Sequence, residues 1–180
     1  MSTSLAGPID DLLGFLQAAY DVPAVYLGLV LVYAIAVAIV LPIPIELALL
    51  KPLLDGRWGY IAGITLALAA GKTIGAWLVF LLGINVEGPI RAWSARFRLA
   101  KWFVEKAEAF VRRTGYAGLY ILLSIPLMSD TIPLYVYSLF NEEGKALDQN
   151  MFLIANFLAA LNRVAILVLL FVVGLNLLGG

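Results

Sequence analysis

Leu41-Pro42-Ile43-Pro44-Ile45-Glu46 and Ile125-Pro126-Leu127-Met128-Ser129-Asp130 decide how this chain is read. Each places a carboxylate four residues after a proline, inside a strongly apolar run. Each is followed by a long apolar segment with one cation near its middle, Lys72 in the first case and Arg163 in the second. The four charges sum to zero. Ionisable residues at membrane depth are costly and mark functional sites by default.

Composition sets the solvent in which these motifs must be read. Of 180 residues, 63% are hydrophobic and 13% charged, with a mean hydropathy of +0.97. A soluble domain is nearer half apolar and about a quarter charged. An integral membrane protein of the cell membrane is expected, and the length suits a single domain spanning 1–180. Formal net charge is zero, so no electrostatic case for nucleic acid exists. The absence of Cys excludes disulfides and thiolate chemistry. The absence of His removes imidazole bases and ligands. No metal or cofactor is expected. No Lys or Arg precedes Lys51, so a secretory signal with a basic start is not visible, and the apolar segments are expected to be retained.

Outward from the first motif, Ile9 to Tyr20 repeats apolar residues at helical spacing and is expected to form a short interfacial helix. Pro23 opens an uncharged apolar run to Leu41. Nineteen residues can cross a hydrocarbon core of roughly 30 Å. Pro42 and Pro44 interrupt the run, because proline removes a helical donor and clashes with the preceding turn. The apolar piece 45–54 ends at Asp55-Gly56-Arg57. Trp58 and Tyr60 look like interface anchors. The segment from Tyr60 to Gly83 is long enough to span. Gly59, Gly63, Ala67, Gly71 and Gly75 form a stripe of small residues at every fourth position, the pattern that lets helix backbones approach closely in lipid.

Residues 88–114 change character. Seven basic residues stand against Glu105 and Glu108, and apolar Trp93, Phe97, Val104, Ala107 and Val111 recur at helical steps. A basic amphipathic helix lying on an anionic membrane surface is expected. Beyond it, Gly115 to Phe140 is apolar but broken at Pro126 and Pro133. Asn141 to Gln149 reads as a polar loop. Met151 to Leu178 is the last spanning segment, with Asn156, Asn162 and Arg163 inside it.

The two halves therefore read alike, about 9–83 and 115–178 around a connector at 84–114. Each has a proline-broken apolar hairpin with an acid at the break, then an uninterrupted helix with a central cation. Matching interruptions in two halves point to a transporter-type site. The expected fold is an all-α membrane protein built as an inverted repeat of re-entrant hairpin plus spanning helix. Segments 23–56 and 116–141 are the hairpins, with tips near the midplane. The basic connector should be cytoplasmic. A full span at 23–41 is the alternative for the first hairpin.

Pro42-Ile43-Pro44-Ile45-Glu46 resembles the proline-plus-glutamate motif of the DedA/VTT (SNARE-associated) membrane proteins. Gly71 and Gly75 resemble that family's glycine-rich helix. Arg113-Thr114-Gly115-Tyr116 followed by Ile125-Pro126 looks like its basic-glycine stretch before a second proline-containing hairpin. The resemblance covers roughly 40–178. It implies two re-entrant hairpins facing each other and movement of ions, lipids or lipid-linked carriers across the bilayer. The family usually carries an arginine soon after the second proline. Here Ser129 and Asp130 stand there, and Arg163 is the candidate substitute.

Lys72 lies about a dozen residues from either end of its helix, roughly 18 Å at 1.5 Å per residue. Its stem cannot bring the ammonium that far, so Glu46 and Asp130 are the natural partners of Lys72 and Arg163. These four, with Pro42, Pro44, Pro126 and Ser129, form the expected substrate or ion site. Freed backbone groups beside the prolines add donors and acceptors. Gly71-Lys72-Thr73 imitates a phosphate-binding loop, but Leu66 occupies its first glycine position. Transport of a small solute or lipid-linked carrier, coupled to a proton or sodium gradient, is the leading function. A gradient-independent lipid scramblase and a membrane enzyme acting on lipid are the alternatives, with no enzyme expected. Membrane lipid and a second copy of the chain are the partners compatible with this reading.

Overall fold

The computed structural model describes residues 14, 19–40, 45–94, 98–141 and 147–178. Most of the expected helix at 9–20 and both Pro42 and Pro44 lie outside the described residues, as do the side chains of Trp93 and Phe97. The described chain is helical, with no strand. Helix α1 is Pro23–Ile39, and a short 3-10 segment Ile45–Leu49 leads into α2, Leu50–Leu54. Helices α3 (Trp58–Ser94), α4 (Arg98–Ser124), α5 (Thr131–Leu139) and α6 (Gln149–Leu178) follow. Two stretches, Trp58–Gly83 and Gln149–Gly174, are long and apolar enough to cross a membrane by length and composition. Helix α1, with 17 residues, covers about 25 Å.

The small-residue stripe does what its spacing predicts. A Cβ on Gly71 would collide with the Leu31 carbonyl and the Ala34 methyl, and one on Gly75 with the Ala38 methyl at 2.5 Å. Gly63 meets Leu27. The pairing order 27–63, 34–71, 38–75 makes α1 and α3 parallel neighbours. Gly59 faces open space and takes no part.

Two parallel helices in succession need a return. Residues 45–57 provide it: Glu46 stands level with Lys72, the Ala48 carbonyl accepts from Tyr26 Oη at 2.7 Å, and Asp55 accepts from Tyr20 Oη at 2.8 Å. Gly56 closes α2, with φ at +64°. Arg57 N donates to Pro52 O and Gly56 N to Leu53 O, the paired bonds of a glycine-ended helix. Lys51 and Arg57 lie over the Tyr20 ring, 4.3 and 5.1 Å from its centre.

The second half runs the other way. Phe80 meets Phe152 with ring centres 5.0 Å apart, while Val164 packs with Ile61, Ile64 and Leu68. Helix α6 is therefore antiparallel to α3. The end of α4 runs parallel to α6, since Tyr116 meets Asp148 and Leu123 meets Arg163. Helix α5 returns beside it, Tyr137 touching Thr114. This hairpin descends only as far as the level of Lys72.

Two sequence readings are sharpened and one changes. The apolar span ends at Gly83 as read, while α3 itself runs on to Ser94. The boundary between the connector and the second hairpin falls inside α4. Gly115 breaks α4 with φ +51° and ψ −146°, a conformation open essentially to glycine alone. Pro133 makes no break. It lies in the first turn of α5, where a helix needs no donor.

Candidate functional site: a buried ring of four charges

Each of the four charged residues arrives by a different route. Glu46 sits in the first turn of the 3-10 segment on the return limb. Lys72 projects from the middle of α3 and Arg163 from the middle of α6. Asp130 occupies the N-cap position of α5, yet its side chain makes no capping bond. It turns instead toward the cations. All four are at most 5% exposed.

They close into a ring. Lys72 Nζ is 2.7 Å from Glu46 Oε1 and 2.7 Å from Asp130 Oδ2. Arg163 reaches Glu46 Oε1 at 3.0 Å through one terminal nitrogen and Asp130 Oδ1 at 2.5 Å through the other. The sequence suggested separate pairs. In the fold each cation meets both acids, because the two hairpins approach the same level between α3 and α6. The contacts differ in kind. Lys72 and Arg163 direct hydrogen bonds at Glu46. The Asp130 oxygens lie at ion-pair distance without hydrogen-bond alignment.

Arg163 also organises the second tip. Its Nε donates to Leu123 O at 2.7 Å and a terminal nitrogen to Met128 O at 3.1 Å. These carbonyls flank Pro126, whose break takes them out of the helical ladder. The guanidinium thus satisfies a tip that would otherwise bury unpaired acceptors. Between them Leu127 takes φ +61°, a left-handed conformation unusual for a leucine. Thr131 Oγ1 donates to Val37 O at 3.1 Å and ties this tip to α1.

Ser129, an expected site residue, is adjacent to the ring, but its Oγ is buried without a hydrogen-bond partner among the described residues. Ser124 Oγ and Asn156 Oδ1 are in the same condition. Pro126 lines a cavity of about 290 Å³ with Tyr120, Ser124, Asn162 and Ile166. A second cavity of about 350 Å³ reaches Glu46. Its wall is otherwise apolar, with Leu50 and Leu53 of α2, Leu127 of the tip, and Leu167, Leu170 and Phe171 of α6. The roles of the Leu123 and Met128 carbonyls were missed as individuals. Proximity to Pro126 was their only signal.

No grouping of His, Cys, Asp and Glu among the described residues is suited to a metal. Comparison of the chain with protein-family models, with curated proteins and with solved structures finds no match.

Proposed function

We propose that this chain is a multi-pass membrane transport protein of the DedA/VTT type, with residues 84–114 on the cytoplasmic side. In this reading α1 with its return limb, and the α4–α5 hairpin, are re-entrant elements of an inverted repeat. They enter from opposite faces, and their tips meet between α3 and α6. The antiparallel course of the two long helices supports this, as does the partial depth of the second hairpin.

The observation that carries the proposal is the closed ring of Glu46, Lys72, Asp130 and Arg163. A purely structural contact there could be apolar, and apolar replacement of buried ion pairs is often neutral or stabilising. A ring of charges can also be opened: adding a proton to either acid, or presenting a competing ion, removes half of its attraction. The cavity ending at Glu46 gives an amphipathic or lipid-like cargo an apolar approach to the ring. The cargo is a small solute, a lipid or a lipid-linked carrier, and the embedded acids couple its movement to a proton or sodium gradient.

Reconstitution in liposomes, following fluorescent-lipid exchange and internal pH together, tests this. Cargo movement should require a gradient. Lipid exchange without one would replace coupled transport by scrambling, the reading that the apolar cavity wall favours. Glu46→Gln and Asp130→Asn should each abolish activity while the protein stays folded. Full activity in both would reduce these acids to structural partners.

A further inference from the structure

The connector helix was expected to lie on a membrane through its apolar stripe. The fold uses that stripe differently. Val104 and Val111 are buried with Val79, Phe80, Phe140 and Phe152, at the end of the bundle where α3 leaves and α6 begins, and Ala107 packs against them. A second row, Lys101, Glu105, Glu108 and Arg112, is balanced in charge, and Lys101 pairs with Glu105 at 3.8 Å. The remaining face holds Trp102, Lys106, Phe110 and Arg113, spaced by three and four residues, with no acid among them. Trp102 is 58% and Phe110 45% exposed, although Phe110 also touches the edge of Tyr137. Lys106 and Arg113 are exposed.

We infer that this third face, rather than the apolar stripe, is the membrane-contacting surface, and that anionic phospholipid headgroups are its partner. Alternation of cations with amphipathic aromatics matches the interfacial zone, where rings sit at headgroup level and each cation is attracted by anionic lipid. Continuity supplies the second argument. The same helix passes through the Gly115 break into the α4–α5 hairpin, so its outer face is held at the rim of the bundle. The inference rests on the membrane reading above.

The test uses the full chain with Trp58, Trp77 and Trp93 replaced by phenylalanine, leaving Trp102 as reporter. The chain is reconstituted in vesicles of phosphatidylcholine, or of phosphatidylcholine mixed with phosphatidylglycerol. In the anionic vesicles acrylamide quenching of Trp102 should fall about twofold and quenching by brominated lipid should rise. Lys106→Glu with Arg113→Glu should cancel that difference, whereas Lys101→Glu on the balanced row should preserve it. If the charge-reversed chain does not fold, Lys106→Gln with Arg113→Gln serves. Equal acrylamide quenching in both lipids would overturn the inference, as would a lipid response that survives neutralisation. Failure of the parent chain to float with vesicles would overturn the membrane reading as well, so the two failures are distinct.

Discussion

Asp130 and Glu46 look equivalent in sequence and are not equivalent in place. Glu46 holds directed hydrogen bonds from both cations, while Asp130 meets them by charge alone. Removing Lys72 leaves two acids against one guanidinium. Lys72→Ala should lower stability by about 3–5 kcal/mol, the range for breaking a buried pair, and thermal unfolding in detergent would show it. Replacing all four charges by apolar residues of similar volume should cost less than that single change, and should abolish transport. Leu127 offers a separate test. Its left-handed backbone costs roughly 1–2 kcal/mol, a strain that glycine would remove. Leu127→Gly should keep the unfolding temperature at or above that of the parent, and Leu127→Val should lower it.

At the scale of the element, the glycine stripe is a surface with a direction. Gly71 and Gly75 touch the backbone of α1, so a side chain there must push whole helices apart. Gly75→Leu should cost at least the roughly 1–3 kcal/mol of ordinary overpacking, while Gly59→Ala, in open space, should be neutral or slightly stabilising. Unfolding temperatures of the two variants separate these cases. The stripe was legible because lipid-exposed helices favour small residues where they meet, and its four-residue period left one face to choose. The acids and cations were equally legible, since charge within an apolar run has few partners. Helix ends were less so. The apolar span ends at Gly83 as read, but α3 itself runs on to Ser94 through Gly88 and Pro89, residues that ordinarily mark a helix boundary. Pro133 was read as a break because position within a turn cannot be seen until the start of α5 is known. The face of the connector that meets protein was hidden for a related reason. An amphipathic stripe states that a surface is covered, and not by what.

At the scale of the molecule, the ring spans 117 positions in sequence between Glu46 and Arg163, and it is where the two hairpins and two long helices come together. Around half of the α3 span is enclosed by protein but only 22% of the α6 window, so α6 is the more outward helix. Its exposed side includes Met151, Ile154, Leu158, Leu169 and Leu170. An exposed apolar flank of this kind fits lipid better than water.

The partners within the ring have a consequence for how such a molecule is made. Glu46 and Lys72 come from the first part of the chain and are already in contact with each other. Asp130 and Arg163 come from the second and are likewise in contact. On the proposed membrane reading, synthesis delivers two self-neutralising pairs, one after the other, so that neither waits in lipid with a bare charge. Docking of the second part then trades two closed pairs for one shared circuit by forming Lys72–Asp130 and Arg163–Glu46. Two polypeptides divided between α3 and α4 should accordingly insert separately and reassemble when co-expressed, as co-purification would show. In that assay Glu46→Gln should impair survival of the first fragment more than Asp130→Asn carried by its partner, because only the former strands Lys72 before the second fragment arrives.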